Sequence, residues 1–100
     1  MKVTHHAKDR LKERSGLNKK SVDRIAKKAL EEGIPHKQTT GRLNKWITSL
    51  YFNNKAANNI RLYGDKAYIF SKETLITVLQ IPPSLTKDLA KMIKKDDKKE

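Results

Sequence analysis

The spacing of apolar positions changes character near residue 59. Before it the spacing is helical, and after it the chain reads as strand. Val3, Ala7, Leu11 and Arg14 fall three or four apart, which predicts a helix from about Thr4 to Arg14, stopped by Gly16. Val22, Ile25, Ala26, Ala29 and Leu30 form the stripe of a second helix. Asn18 is placed to cap it, Leu17 and Val22 to staple it, and Gly33 and Pro35 to end it. Residues 34–41 read as a connector. Leu43, Trp46, Ile47, Leu50 and Tyr51 predict a third helix, capped by Thr39 or Thr40.

Ile60–Tyr63, Lys66–Phe70 and Thr74–Ile81 are rich in β-branched and aromatic residues, as strands are. Gly64-Asp65 is a tight hairpin signal, and Ser71-Lys72-Glu73 can turn between the next two strands. After Pro82-Pro83, Ser84 can cap a short last helix carrying Leu85, Leu89, Met92 and Ile93. The expected class is α+β, with N-terminal helices packed on a three-stranded antiparallel β-meander and a short C-terminal helix. The expected core is Leu11, Val22, Ile25, Ala29, Leu43, Trp46, Ile47, Leu50, Ile60, Leu62, Ile69, Ile76 and Val78.

The length of 100 residues allows one domain, drawn here over 1–93, with 94–100 as a charged disordered tail. Lys and Arg number 23 against 11 Asp and Glu, a net charge of +12. Residues 1–42 hold a net +7 of this and the last seven only +1, so the basicity belongs to the folded body. Such a chain attracts polyanions. The chain lacks cysteine, which excludes disulfides, thiolate metal sites and cysteine nucleophiles. It has no apolar run long enough to cross a membrane and no apolar segment after Met1. A cytoplasmic protein without membrane contact is expected.

On the first helix, His6, Arg10 and Arg14 are successive i, i+4 neighbours along the edge of the Ala7/Leu11 stripe. Packing at the rim of a core fixes rotamers, which is where a site can be built. The same pattern arises when arginines lie along a surface and pair with Asp9, Glu13 or the third helix. The carboxylates form no recognisable metal set, and His5 and His6 diverge by about 100° on a helix. No metal or other cofactor is implied. His36, in the connector, is expected in solvent.

The run His6-Ala7-Lys8-Asp9-Arg10-Leu11-Lys12-Glu13-Arg14-Ser15-Gly16-Leu17 resembles the opening His-Ala-x-x-Arg-x-x-x-Arg of RelE-like families. Ala29-Leu30-Glu31-Glu32-Gly33 and Leu75-Ile76-Thr77-Val78-Leu79 resemble the end of their second helix and their last strand. The resemblance covers about 5–33 and 59–82 and extends to the superfamily of barnase, EndoU, colicin nuclease and RelE-like folds, with many phage and prophage forms. Residues 34–58 do not fit its shortest members, and the second catalytic histidine of the EndoU branch has no counterpart here.

The resemblance implies metal-independent RNA cleavage by a toxin or phage effector in a bacterial host cell. Partners would be RNA, the ribosome and an antitoxin or immunity protein. His6 would move protons, because imidazole titrates near neutrality. Arg10 and Arg14 would hold the phosphate through their planar forks, with Thr77 donating a hydroxyl. Arg61 and Tyr63, on one face of a strand, would add phosphate and base-stacking contacts. Lys19, Lys20, Lys27 and Lys28 would flank the nucleic acid, although lysines on a helix surface more often form a solvated face than specific contacts. Two other classes remain: a non-catalytic RNA- or DNA-binding module of the same fold, and a phage inhibitor that binds an acidic host protein.

Overall fold

The computed structural model describes the backbone of residues 2–15, 19–53 and 57–98; the side chains of 2, 14, 15, 19 and 92–98 are outside the described set. The elements are β1 (Lys2–Val3), α1 (His5–Ser15), α2 (Lys19–Glu32), β2 (Ile34–Pro35), a 3-10 turn (His36–Gln38), α3 (Gly41–Asn53), β3 (Asn59–Tyr63), β4 (Lys66–Ser71), β5 (Thr74–Gln80) and α4 (Pro83–Lys98). The class is α+β. The expected stop, staple and cap around Gly16, Leu17 and Asn18 lie outside the described residues. The last helix runs to Lys98, into the segment 94–100.

The sheet has five strands in the order β1-β5-β4-β3-β2. Its centre is the expected meander, with β3, β4 and β5 antiparallel in sequence order. Two short edge strands are additional. β1 pairs in parallel with β5 through Lys2 and Val3, and β2 pairs antiparallel with β3 through Ile34 and Pro35. A two-residue strand carries no period, so neither is visible in the hydrophobic pattern.

The helices do not all cover one face, and this corrects the expected layout. One core joins α1 and α2 (Ala7, Leu11, Val22, Ala26, Ala29) to Tyr68, Phe70, Leu75 and Val78. The other joins α3 and α4 (Leu43, Ile47, Leu50, Leu85, Leu89) to Ile60, Leu62, Ala67, Ile69 and Ile81. The sheet is therefore the middle layer of three. β4 shows why: Ala67, Tyr68, Ile69 and Phe70 are all buried, alternate members facing opposite cores. A continuous apolar run is the pattern of a strand covered on both sides. Three expected core residues, Ile25, Trp46 and Ile76, are only partly buried at the margins of these cores.

The hairpin between β3 and β4 turns through Gly64 and Asp65. Gly64 has φ +64°, a conformation open to glycine and strained for other residues. The Lys66 ammonium and the Gln80 amide bond to the Asp65 side chain and hold its carboxyl below the usual value. Gly33 is required for a different reason. A Cβ there would collide with the Ala29 carbonyl oxygen and lie 2.8 Å from Arg61 Cβ. Arg61 passes over this point, and its guanidinium donates to the Gly33 carbonyl at 3.2 Å and to Asn59 at 3.0 Å. The cation thus sits at the carbonyl end of α2, where the helix dipole favours it.

Two outcomes test this packing. Gly33→Ala forces apart α2 and β3 and should cost about 2 kcal/mol in denaturant unfolding, a typical overpacking penalty. Burial pushes the Tyr68 phenol up to about 12 from an ordinary 10.0. Its contribution to stability is therefore full below pH 10.0 and is lost as the pH rises toward about 12. Ultraviolet difference absorbance should show one tyrosine titrating late, and unfolding midpoints should fall across that interval.

Candidate functional site

α1 is attached to β5 through one residue. Thr4 follows β1, and its amide donates to the Leu75 carbonyl at 3.0 Å. Its hydroxyl donates to the Ile76 carbonyl at 3.0 Å and accepts from the Ala7 amide at 3.2 Å. The Ala7 contact is an N-cap, which satisfies a free helical amide. The Ile76 contact ties the same helix end to the last strand, 72 positions away in the chain. Two residues further on, α1 presents His6.

β5 is irregular at the same place. Ile69 pairs with Thr77, but Phe70 pairs with Leu75, so Ile76 is an extra residue. A bulge of this kind changes which face a strand presents. Leu75 faces the α1/α2 core, whereas Ile76 and Leu79 pack toward the α3/α4 core. Thr77 pairs with Ile69 on that second side and is 8% exposed.

These features converge on an open groove of about 350 Å³ lined by His6, Arg10, Leu50, Asn53, Ile76, Thr77 and Leu79. His6 and Arg10 come from α1, Leu50 and Asn53 from α3, and the floor from β5. His6 is exposed and Arg10 half-buried. The ion pairs given by the described residues are Arg42–Asp88 and Lys66–Asp65, and neither uses Arg10. Arg10 is therefore not paired with Asp9 or Glu13. Those two carboxylates instead line a second depression, of about 320 Å³, on the other flank of the His6–Arg10 ridge.

Of the residues singled out in the sequence, His6, Arg10 and Thr77 share the groove. Arg14 and Lys19 lie on α1 and α2 by their backbone, but their side chains are outside the described residues. Lys20, Lys27 and Lys28 are exposed on α2. Arg61 and Tyr63 are not brought to the groove, because β3 lies two strands away from β5. Arg61 is engaged with the end of α2. Tyr63 packs edge-on against Tyr68, with ring centroids 6.3 Å apart.

Leu50, Asn53, Ile76 and Leu79 were not legible as site residues. They come from a helix on one face and a strand beside it, and nothing in their spacing predicts the meeting. His36 is also a correction. It is half-buried against the Tyr51 ring, centroids 5.4 Å apart, and its Nε2 lies 3.0 Å from the Thr48 hydroxyl. Thr48 spends its proton on the Asn44 carbonyl at 2.9 Å, so His36 Nε2 is the donor to Thr48. This histidine anchors the 3-10 turn to α3.

Among the described residues no group of three or more His, Asp or Glu is placed to hold a metal ion, and no helix is long and apolar enough to cross a membrane. No protein-family model, curated protein or solved structure matches the chain.

Thr4 tests the construction of the site. Thr4→Val removes the cap and the tie to Ile76 together and should cost about 1–2 kcal/mol in urea unfolding. Thr4→Ser keeps both bonds and should recover most of that loss.

Proposed function

We propose that the protein is a small ribonuclease that cleaves RNA without a metal ion, using the 2′-hydroxyl of the substrate as nucleophile. One observation carries the reading. His6, Arg10 and Thr77, residues from distant parts of the chain to which the resemblance gives roles, line a single groove. The likeness of the α1 and β5 motifs to RelE-like nucleases points the same way, as does the net charge of +12.

In this mechanism the 2′-oxygen attacks the adjacent phosphorus, and the bond to the 5′-oxygen breaks. The products are a 2′,3′-cyclic phosphate and a free 5′-hydroxyl. A proton leaves the 2′-hydroxyl, and one arrives at the 5′-oxygen. His6 provides the acid–base group, because imidazole exchanges protons near neutral pH. Arg10, with Arg14 one turn on, stabilises the charge that builds on the phosphoryl oxygens. Thr77 lines the same groove, and its hydroxyl donates to the phosphate. The cellular setting proposed is the cytoplasm of a bacterial host, with an antitoxin or immunity protein to restrain the activity.

The test is incubation of purified protein with total RNA in EDTA. Cleavage leaving cyclic phosphate ends is expected. His6→Ala should lower the rate by roughly 10²–10⁴-fold, the usual contribution of a positioned acid–base group. Arg10→Ala should also lower it, and Thr77→Val should do so with the fold intact. RNA carrying a 2′-deoxy group at the cut site should bind and stay whole. Salt-sensitive binding with no cleavage, and no effect of His6→Ala on that binding, would replace this reading with a non-catalytic nucleic-acid module.

A further inference from the structure

The groove has two unlike walls. On the α1 side stand His6 and Arg10, a titratable group and a cation. On the α3 side stand Leu50 and the Asn53 amide, with Leu79 continuing the apolar floor. A nucleotide is divided in the same way, with a charged phosphate at one end. At the other is a flat apolar base whose edge carries donors and acceptors. We infer that the α3 wall is a base-recognition subsite, with Asn53 as the residue that determines base specificity, for one unstacked base of single-stranded RNA. This rests on the ribonuclease reading for the phosphate half of the groove, and it assigns the other half.

Asn53 closes the last turn of α3 with an exposed side chain. A side-chain amide offers one donor and one acceptor side by side, so it pairs with a base edge that presents the complement, as adenine does. Half-buried Leu79 and Ile76, with the small exposed part of Leu50, supply apolar surface for the face of the base. A base inside a duplex is stacked above and below and presents only its edges. The groove needs a base that is turned out, which single strands and loops provide. The position of α3 gives this subsite its origin. The helix belongs to residues 34–58, the stretch that the resemblance to short RelE-like chains does not cover.

Two measurements test the subsite. The first maps cleavage positions on RNA of mixed sequence for the unmodified protein, Asn53→Ala and Asn53→Asp. The second measures the affinity of short 2′-deoxy oligonucleotides that differ only in the central base, which cannot be cut. The expected result is a base preference on the order of tenfold in the unmodified protein. Asn53→Ala should flatten it, and Asn53→Asp should shift it toward guanine, whose adjacent N1–H and N2–H₂ donors match the two carboxylate oxygens. Asn53 is exposed, so urea unfolding should be unchanged. A preference that persists in Asn53→Ala, or cleavage with no preference in the unmodified protein, overturns the subsite and leaves the ribonuclease standing. A protein that cuts no RNA but binds with an Asn53-dependent preference overturns the ribonuclease and upholds the subsite.

Discussion

The contact between Thr4 and the bulge of β5 sets the geometry on which the rest of the site depends. A threonine hydroxyl has one proton to donate and lone pairs to accept with. Thr4 uses the proton on the Ile76 carbonyl and a lone pair on the Ala7 amide. The first bond fixes where α1 begins relative to the sheet, and the second fixes how it begins. Because α1 is rigid, His6 and Arg10 then have little freedom in where they stand. The extra residue at Ile76 completes the arrangement. Without it, simple alternation would set Leu75 and Thr77 on the same face. With it, Leu75 enters the α1/α2 core while Thr77 turns to the groove.

The three-layer arrangement explains how a chain of this size supports an open, charged groove. Both faces of the sheet are covered, so each core is small but closed on one side by the same central strand. Burying one aliphatic or aromatic side chain contributes roughly 1.5–3 kcal/mol, and β4 alone places Tyr68, Ile69 and Phe70 inside. The edge of β5 beyond the two-residue strand β1 is where the two helical layers stop meeting the sheet squarely. There α1 from one layer and α3 from the other leave the groove between them. Arg10 at its rim is only half-buried, which limits the cost of burying a charge that has no ion-pair partner among the described residues.

Much of the fold was legible in the chain. Period three to four located α1, α2 and α3, and β-branched content with a Gly-Asp turn located the meander. The continuous apolar run at Ala67–Phe70 also carried the sign of a sheet covered twice, although the expected layout put the helices on one side. The two edge strands left no signal because two residues have no period. His36 looked like a solvent-facing connector residue because only the folded α3 brings Tyr51 and Thr48 against it. Arg61 looked like a phosphate ligand because charge type alone does not reveal that the end of α2 lies above it.

By itself the sequence determined the chemical inventory: the excess of cationic side chains, the absence of thiols, and a histidine and two arginines at helical spacing on one edge of α1. It also determined the four helices and the three strands of the meander, since helix and strand periods are local properties of the chain. The tertiary structure decided which of those groups meet. Thr77 joins His6 and Arg10 because the bulge at Ile76 turns it there and the Thr4 bond to the Ile76 carbonyl brings α1 beside it. Asn53 joins them because α3 crosses the opposite face of the sheet and ends at the same edge. Such meetings depend on long-range register and on which face each helix covers, and neither is encoded in the spacing of any one segment.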